Sequence, residues 1–295
     1  MQRLRYAYRF IKSCFSQAIK EPRLRKPWFN LWMGGISLTI VWLLPLGAVI
    51  VLIGLDPLGM TLIGLLSILL LVSLLVWGEV NALDTCRVFD AQLRGDQGLG
   101  KTGTEDRTQD FSHWKDAALW LVSLPGLKLR RLLTQVFRSK TEDPLVWLEA
   151  AYLMLPVISL EDHNLVEATG RIKHILQENL LRFNQGLFAV NPLAGIIQGI
   201  LVVSGALLGF WVGFSIADPA TSSGLSLLFA AAIGVFLGSI LALLGIFFSS
   251  FNRACYYTTL YNYALSVEAA SLSGNTEQRT PPAILSQVLR KTTPN

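Results

Sequence analysis

The sequence predicts an all-α membrane protein whose four transmembrane helices form two hairpins. Of the 295 residues, 52% are hydrophobic and only 15% are charged, whereas soluble domains carry about 25% charged residues. The charges are also segregated, because no Lys or Arg occurs between Leu31 and Ala82 or between Pro192 and Asn252. A transmembrane helix needs about 20 apolar residues, so each cation-free block is long enough for two spans.

A short turn divides each block into two apolar segments, which are 31–54, 58–78, 193–217 and 224–251. The dipeptide Asp-Pro marks both turns, at Asp56-Pro57 and at Asp218-Pro219. A turn this short must reverse the chain, so each block predicts two antiparallel helices. We expect cytoplasmic or interfacial amphipathic helices between the two hairpins.

The 25 Lys and Arg residues predict the orientation, because all of them lie in 1–30, 83–191 and 253–295 and none in either turn. Basic residues near the ends of spans stay in the cytoplasm, so both hairpins enter and leave the membrane from that side. The predicted segments are a basic amphipathic N-terminal arm, a first hairpin, a cytoplasmic amphipathic middle region, a second hairpin and a cytoplasmic tail with a disordered end: 1–30, 31–82, 83–191, 192–251 and 252–295.

The N-terminal arm combines one apolar helical face with basic residues around it. The apolar residues fall at spacings of three and four: Leu4, Tyr8, Ile11, Phe15 and Ile19. The basic residues that we expect at the lipid surface are Arg3, Arg5, Arg9 and Lys12. This pattern is typical of a helix that lies on the inner leaflet and binds anionic lipid headgroups. A helix packed on the cytoplasmic part of the protein is the alternative.

The middle region starts with a Gly- and charge-rich segment, 93–112, which predicts a flexible loop. Further along, Lys128, Arg130 and Arg131 alternate with leucines, which is typical of a helix on a membrane surface. Residues 144–160 are almost entirely apolar but too few for a comfortable span. They are re-entrant, interfacial or buried against the bundle, and we favour the last two.

The fourth span ends in a polar and aromatic stretch that contains Asn252, Tyr256, Tyr257 and Tyr261. A tyrosine combines an apolar ring with a polar hydroxyl group, which suits the level of the lipid headgroups. The stretch therefore predicts an aromatic belt at the membrane interface.

Small residues at four-residue spacing predict close helix packing in the second hairpin. The third span contains Gly195, Gly199, Gly205, Gly209 and Gly213. The fourth span contains Ala230, Gly234, Gly238 and Ala242. Small side chains let two helix backbones approach each other. We expect these residues to join spans of one chain, and a homo-oligomer interface is the alternative.

Residues 95–102 match the phosphate-binding pattern GxxxxGK[ST]. In a nucleotide-binding protein Lys101 would contact the phosphates and Thr102 would hold magnesium. That chemistry requires a strand before the loop and a helix directly after it, so that the helix N-terminus faces the anion. The preceding residues have a helical pattern and the following residues are polar and Gly-containing. The pattern therefore lacks its structural context.

Residue types that carry catalysis or bind metal do not converge in the sequence. The histidines are widely separated: His113, His163 and His174. No HExxH, GxSxG or Cys/His ligand spacing occurs. The three cysteines predict free thiols in a reducing compartment: Cys14, Cys86 and Cys255. Ion-coupled transporters place ionisable groups in mid-membrane, and this chain has none there. We expect no catalytic residue, no cofactor and no metal.

A resemblance covers roughly 153–265. It is carried by an apolar helix with Leu155-Pro156, an acidic pair at Glu161-Asp162, a helix start at Glu167-Ala168, a basic helix from Arg171 to Leu181, and a Tyr-rich stretch after Arg253. These features resemble a broad group of uncharacterised polytopic bacterial membrane proteins. The resemblance implies a helical bundle with cytoplasmic amphipathic helices at the membrane face, and it implies no catalytic residues.

Together these patterns favour a non-enzymatic protein of the bacterial inner membrane with both termini in the cytoplasm. It would act as a scaffold, assembly factor or accessory subunit that binds the lipid bilayer, anionic lipid headgroups, and a protein partner or a second copy of itself. Nucleic acid is not indicated by the net charge of +5, because the basic residues flank apolar segments. A small-solute channel or transporter is the alternative, and a nucleotide-binding membrane regulator that uses Lys101 is a weaker one.

Overall fold

The computed structural model describes residues 2–54, 56–96, 144–161, 163, 165–177, 190–216 and 224–273. These residues form seven helices, numbered here in chain order: α1 (Gln2–Lys20), α2 (Pro22–Leu52), α3 (Pro57–Asp96), α4 (Pro144–Glu161), α5 (Leu165–Gln177), α6 (Val190–Ile216) and α7 (Gly224–Ser273). No strand occurs in this part of the chain. The fold is all-helical, as the sequence predicts.

Four of the described helices, α2, α3, α6 and α7, are long and apolar enough to cross a membrane, which confirms the four predicted spans. Their outer side chains agree with this assignment, since Leu44 is 74% exposed, Leu52 82% and Phe210 72%. Exposed apolar side chains at this density would be unstable in water, whereas lipid solvates them and every helix satisfies its own backbone polar groups. The chain is a multi-pass integral membrane protein.

The helices extend beyond the apolar segments that predict them. The second helix begins at Pro22 and continues through Pro27 and Pro45. The third has 40 residues and ends at Asp96, inside the predicted loop 93–112, whose remaining residues lie outside the described ones. The seventh has 50 residues, about 75 Å at 1.5 Å per residue, against a hydrocarbon core of about 30 Å.

The chain folds as two compact units. The span unit contains Lys26–Asn81 and Ala194–Ser250. The tyrosine unit, named for its buried tyrosines, contains the described residues of Met1–Arg25, Ala82–Leu193 and Phe251–Asn295. Helices α3 and α7 each contribute residues to both units, so two of the four spans continue as helices of the tyrosine unit.

Apolar side chains from three helices form the core of the span unit. Leu74 of α3 packs with Leu243 and Ile246 of α7, and each of these side chains is at most 2% exposed. Trp77 of α3 donates a hydrogen bond from its indole nitrogen to the carbonyl oxygen of Leu31 in α2, at 3.0 Å. This bond satisfies the polar end of a large ring and ties α2 to α3.

The turn between α2 and α3 is closed by a glycine with a left-handed backbone. Gly54 has a φ of +82°, which side chains with a Cβ rarely adopt. The carbonyl oxygen of Val49 accepts hydrogen bonds from the amides of Ile53, at 3.0 Å, and Gly54, at 3.2 Å. This arrangement ends α2 as helices commonly end, and Pro57 then starts α3, where its missing N–H costs nothing. The second Asp-Pro turn lies outside the described residues.

The core of the tyrosine unit is aromatic. Tyr256, Tyr257 and Tyr261 of α7 have no exposed surface, so the prediction that this stretch forms a lipid-facing belt is wrong. Two side chains of α1 pack on the same part of α7. The ring of Phe10 meets that of Tyr256 at 5.3 Å between centroids, edge to face, and the ring of Phe15 lies 5.4 Å from that of Phe251. Helix α1 is therefore docked on the protein.

Helix α4 supplies a second face of this core. Every residue from Tyr152 to Ser159 is buried, and the helix packs against α5. The ring of Tyr152 stacks on that of Tyr257 with centroids 5.4 Å apart and an interplanar angle of 18°. Of the three placements that the sequence leaves open for 144–160, burial against other helices describes residues 152–159.

Candidate functional site

A group of ionic contacts centres on Arg171 of α5. Its guanidinium group donates two hydrogen bonds to the Glu268 carboxylate of α7, at 2.9 Å and 2.6 Å. Its Nε atom lies 3.4 Å from a carboxylate oxygen of Glu161, at the end of α4. The hydrogen bond to Glu268 is the main reason that the pKa of Arg171 is raised above its usual value. Both carboxylates thus share one cation.

Two histidines and a tyrosine complete this group, which we call the carboxylate cluster: Glu161, His163, Arg171, His174, Tyr261 and Glu268. His163 lies 3.0 Å from Glu161, and His174 lies 3.3 Å from Glu268. The hydroxyl group of Tyr261 donates a hydrogen bond to Glu161. The cluster joins α4, α5 and α7, and it brings together two histidines that the sequence analysis treats as separate.

Three more polar contacts join α3 to α4 and α7 within the tyrosine unit. The Ser159 hydroxyl group donates to the carbonyl oxygen of Leu83, at 2.7 Å, and Arg87 donates from Nε to the carbonyl oxygen of Ser159, at 2.9 Å. Asn262 of α7 donates to Asp90 of α3, at 2.7 Å. Polar groups buried in this way stabilise a helix contact only when they are satisfied, and these contacts satisfy them.

Arg253 of α7 is a buried cation, with 7% of its surface exposed. It donates a hydrogen bond to the Tyr152 hydroxyl group at 3.3 Å, and its guanidinium carbon lies 5.2 Å from the centre of the Tyr152 ring. A guanidinium group near an aromatic ring gains a cation–π attraction when it is desolvated. Arg253 therefore fixes the position of Tyr152 within the core.

The three cysteines converge in the tyrosine unit, although they are far apart in the sequence. Cys14 of α1, Cys86 of α3 and Cys255 of α7 are free thiols without exposed surface. Cys255 lies within interaction distance of Cys14, and the thiol of Cys86 lies 3.8 Å from the carbonyl oxygen of Ala254. The only sequence signal was that Cys14 shares the helical spacing of Phe10 and other residues of the buried face of α1.

The structure brings some of the predicted packing glycines together. A Cβ atom added to Gly209 of α6 would collide with the carbonyl oxygen of Gly234 in α7, and one added to Gly205 would lie 2.7 Å from that of Gly238. The Cα atom of Gly213 lies 3.5 Å from the position of a Cβ atom on Gly234. These positions pair in reverse order, as antiparallel helices require.

Two other glycines of the same helix are not part of this contact. A Cβ atom on Gly195 or Gly199 would meet no described atom within 4 Å, and both residues are exposed. Of the small residues in α7, Ala242 is buried, and the side chain of Ala230 lies outside the description. The close approach of α6 to α7 therefore involves Gly205, Gly209 and Gly213 but not Gly195 or Gly199.

The predicted lipid-surface residues are placed in part. Arg9 and Lys12 are exposed on α1. Arg3 and Arg5 belong to the same helix, but their side chains lie outside the description, and Lys128, Arg130 and Arg131 lie outside the described residues altogether.

Lys101 and Thr102 of the phosphate-binding pattern also lie outside the described residues, whereas Gly95 and Asp96 are the last residues of α3. A helix thus stands where that pattern requires a strand.

Comparison of the chain with models of protein families, with curated proteins and with solved structures finds no match.

The polar and ionic side chains described in the tyrosine unit connect its helices to one another. Within the carboxylate cluster each ionisable side chain contacts another member, and no three His, Cys, Asp or Glu residues of the described chain are arranged to hold a metal ion. Pairs of opposite charge that retain hydrogen bonds to each other hold helices in one register. The outer surface of the unit includes the basic side of α1, where Arg9, Lys12 and Lys20 are exposed.

Proposed function

We propose that this chain is a non-enzymatic protein of the bacterial inner membrane with both termini in the cytoplasm. It acts as a scaffold, assembly factor or accessory subunit, and the tyrosine unit is its docking platform for a protein partner or for lipid headgroups. The distribution of Lys and Arg supports this orientation, because 83–191 and both terminal segments hold all of them.

One observation carries the proposal. Helices α3 and α7 run without a break from the span unit into the tyrosine unit, so the spans themselves form part of the platform. No turn or loop separates these two spans from the residues that the same helices contribute to the tyrosine unit. Such a construction suits a protein that holds partners at a fixed place on a membrane.

The polar groups of the spans support a scaffold over a transporter. The hydroxyl groups of Ser37, Thr39 and Ser73 each donate to the carbonyl oxygen four residues earlier, at 2.8 Å to 2.9 Å. Transmembrane helices commonly satisfy Ser and Thr in this way. These hydroxyl groups form hydrogen bonds within their own helices, whereas a solute pathway needs polar groups directed into a cavity.

Native-mass analysis of the full chain tests this function. The protein, expressed at its natural level and extracted in a mild detergent after cross-linking in the membrane, is expected in an assembly larger than the monomer. Arg171→Gln, which loosens the tyrosine unit, is expected to reduce the assembled fraction without preventing insertion, and Gly199→Ala, at an open position, is the control. Recovery of the chain only as a monomer, with no cross-linked product, would refute the proposal.

A further inference from the structure

The outer side of α1 carries a shallow basic recess. Its volume is about 410 Å³ and it is lined by Arg9, Lys12, Ser13, Ser16 and Lys20. Lys12, Ser13, Ser16 and Lys20 lie three, four, seven and eleven positions after Arg9, so all five residues share one helix face. No Asp or Glu occurs anywhere in α1. Three cations with two hydroxyl groups and no carboxylate in the helix form a surface complementary to an anion that accepts hydrogen bonds.

Exposed apolar side chains flank this recess. Tyr8 is 63% exposed and Ile19 is 61% exposed, and both lie between the basic face and the buried face of α1. The buried face itself is already occupied, because Phe10 and Phe15 pack on α7. Cations beside an exposed tyrosine and isoleucine are typical of a helix at the level of lipid headgroups, where one flank meets phosphates and the other meets acyl chains.

The chain keeps α1 close to a span. Only Glu21 separates Lys20 from α2, which is long and apolar enough to cross a membrane. Arg25, near the start of α2, donates a hydrogen bond to the carbonyl oxygen of Ile19 at 2.7 Å. Phe15 meets Phe251, the first residue of α7 that belongs to the tyrosine unit. A ligand of the recess is therefore one that resides at the membrane surface.

We propose that the recess on α1 binds the phosphodiester headgroup of an anionic phospholipid. This inference rests on the proposed function, because it names the lipid partner of the same platform. Arg9, Lys12 and Lys20 contact the phosphate oxygens, Ser13 and Ser16 donate hydrogen bonds, and Tyr8 and Ile19 enter the headgroup region beside them. Free phosphate would leave the two apolar side chains without a contact, and RNA would require stacking partners that a single exposed tyrosine does not supply.

Binding of a short-chain lipid to the full-length protein tests the recess. The purified chain in neutral detergent micelles is titrated with dioctanoyl phosphatidylglycerol, and dioctanoyl phosphatidylcholine serves as the neutral lipid. The variant Arg9→Gln/Lys12→Gln removes two charges from the recess. Its matched control, Arg23→Gln/Lys26→Gln, removes two charges from exposed positions outside it. Protection of the buried Cys14 thiol from a maleimide shows in each variant that α1 is still docked.

The recess variant is expected to bind phosphatidylglycerol about 30-fold more weakly than the wild type, and the control variant nearly as well as the wild type. Equal binding by the recess variant and the wild type, or equal loss in the two variants, would overturn the proposal. It would also be overturned if inorganic phosphate or a short RNA displaced the lipid at comparable concentrations. Each of these failures leaves the native-mass result unaffected, so loss of the recess and loss of the docking function are distinguishable.

Discussion

Arg171 and Glu268 are 97 positions apart in the sequence, and two parallel hydrogen bonds of 2.9 Å and 2.6 Å join their side chains. This geometry matches the planar fork of a guanidinium group to the two oxygens of a carboxylate, which a lysine cannot reproduce. The pair attaches α5 to the last turns of the longest described helix, α7, and His174 of α5 lies 3.3 Å from the same carboxylate. Glu268 therefore joins two side chains of α5 to α7, and Arg171 makes the bidentate contact.

Arg171→Gln is expected to lower the free energy of unfolding of the tyrosine unit by roughly 1–2 kcal/mol. The loss is moderate because the two side chains keep about a fifth of their exposure, 21% and 19%, and water compensates part of it. The rate at which a maleimide labels the three buried thiols in mild denaturant measures the effect, since all three lie in this unit.

Arg171→Lys is the informative companion variant. It retains the charge but loses one of the two parallel hydrogen bonds, so its labelling rate is expected to fall between those of the wild type and Arg171→Gln. If both variants label as slowly as the wild type, the pair contributes nothing to the stability of the unit, as many surface ion pairs do.

Phe10→Ala is expected to release α1 from α7. The side chain is 3% exposed and its ring meets Tyr256 edge to face, so the truncation leaves a cavity that costs roughly 3–5 kcal/mol. Tyr8→Ala removes an exposed ring of similar size from the same helix and is expected to change the stability by less than about 0.5 kcal/mol. Peptide mapping after a maleimide pulse is expected to show faster labelling of Cys14 in Phe10→Ala alone. Equal labelling in the two variants would contradict the docking of α1.

Gly209→Ala and Gly199→Ala are expected to change stability in opposite directions. At Gly209 the new Cβ atom would meet the carbonyl oxygen of Gly234, a backbone atom that cannot turn aside, and overpacking of this kind costs roughly 1–3 kcal/mol. At Gly199 the new atom would meet no described atom within 4 Å, and alanine is the better helix former by up to about 1 kcal/mol. Denaturation in mixed detergent micelles measures both. Destabilisation by both substitutions would show that the exposed glycines also pack against something.

The four spans could be predicted from the sequence because a single physical cost produces the pattern. Placing a cation in the lipid core costs free energy. The absence of Lys and Arg between Leu31 and Ala82 and between Pro192 and Asn252 is visible from the sequence alone. The ends of the helices were predicted poorly, because no comparable signal in the sequence marks them. Neither Gly nor Pro occurs between Phe251 and Ser273, so the helix continues beyond the end of the apolar segment. Hydropathy marks the end of the apolar segment but not the end of the helix.

The buried tyrosines could not be predicted from their own stretch of sequence. A tyrosine suits a membrane interface and a protein core equally, because its ring is apolar and its hydroxyl group can find a partner in either place. Which of these applies to Tyr256 and Tyr257 is decided by Phe10 and Tyr152, which lie more than a hundred positions away and cover them. The convergence of the three cysteines has the same origin, since helix faces show periodicity but not which faces meet.

Single cysteines at Asp56 and Gly170 test the orientation of the chain. Both positions are exposed and a side chain at Gly170 would meet no described atom within 4 Å, so neither substitution should disturb the fold. The native thiols have no exposed surface and give little background. If the proposed orientation holds, a membrane-impermeant maleimide labels Asp56→Cys in intact cells, because the basic residues that stay in the cytoplasm are absent from its turn, and it labels Gly170→Cys only after the membrane is permeabilised. The reverse pattern would place the carboxylate cluster outside the cytoplasm, and the docking platform proposed here would then face the wrong compartment.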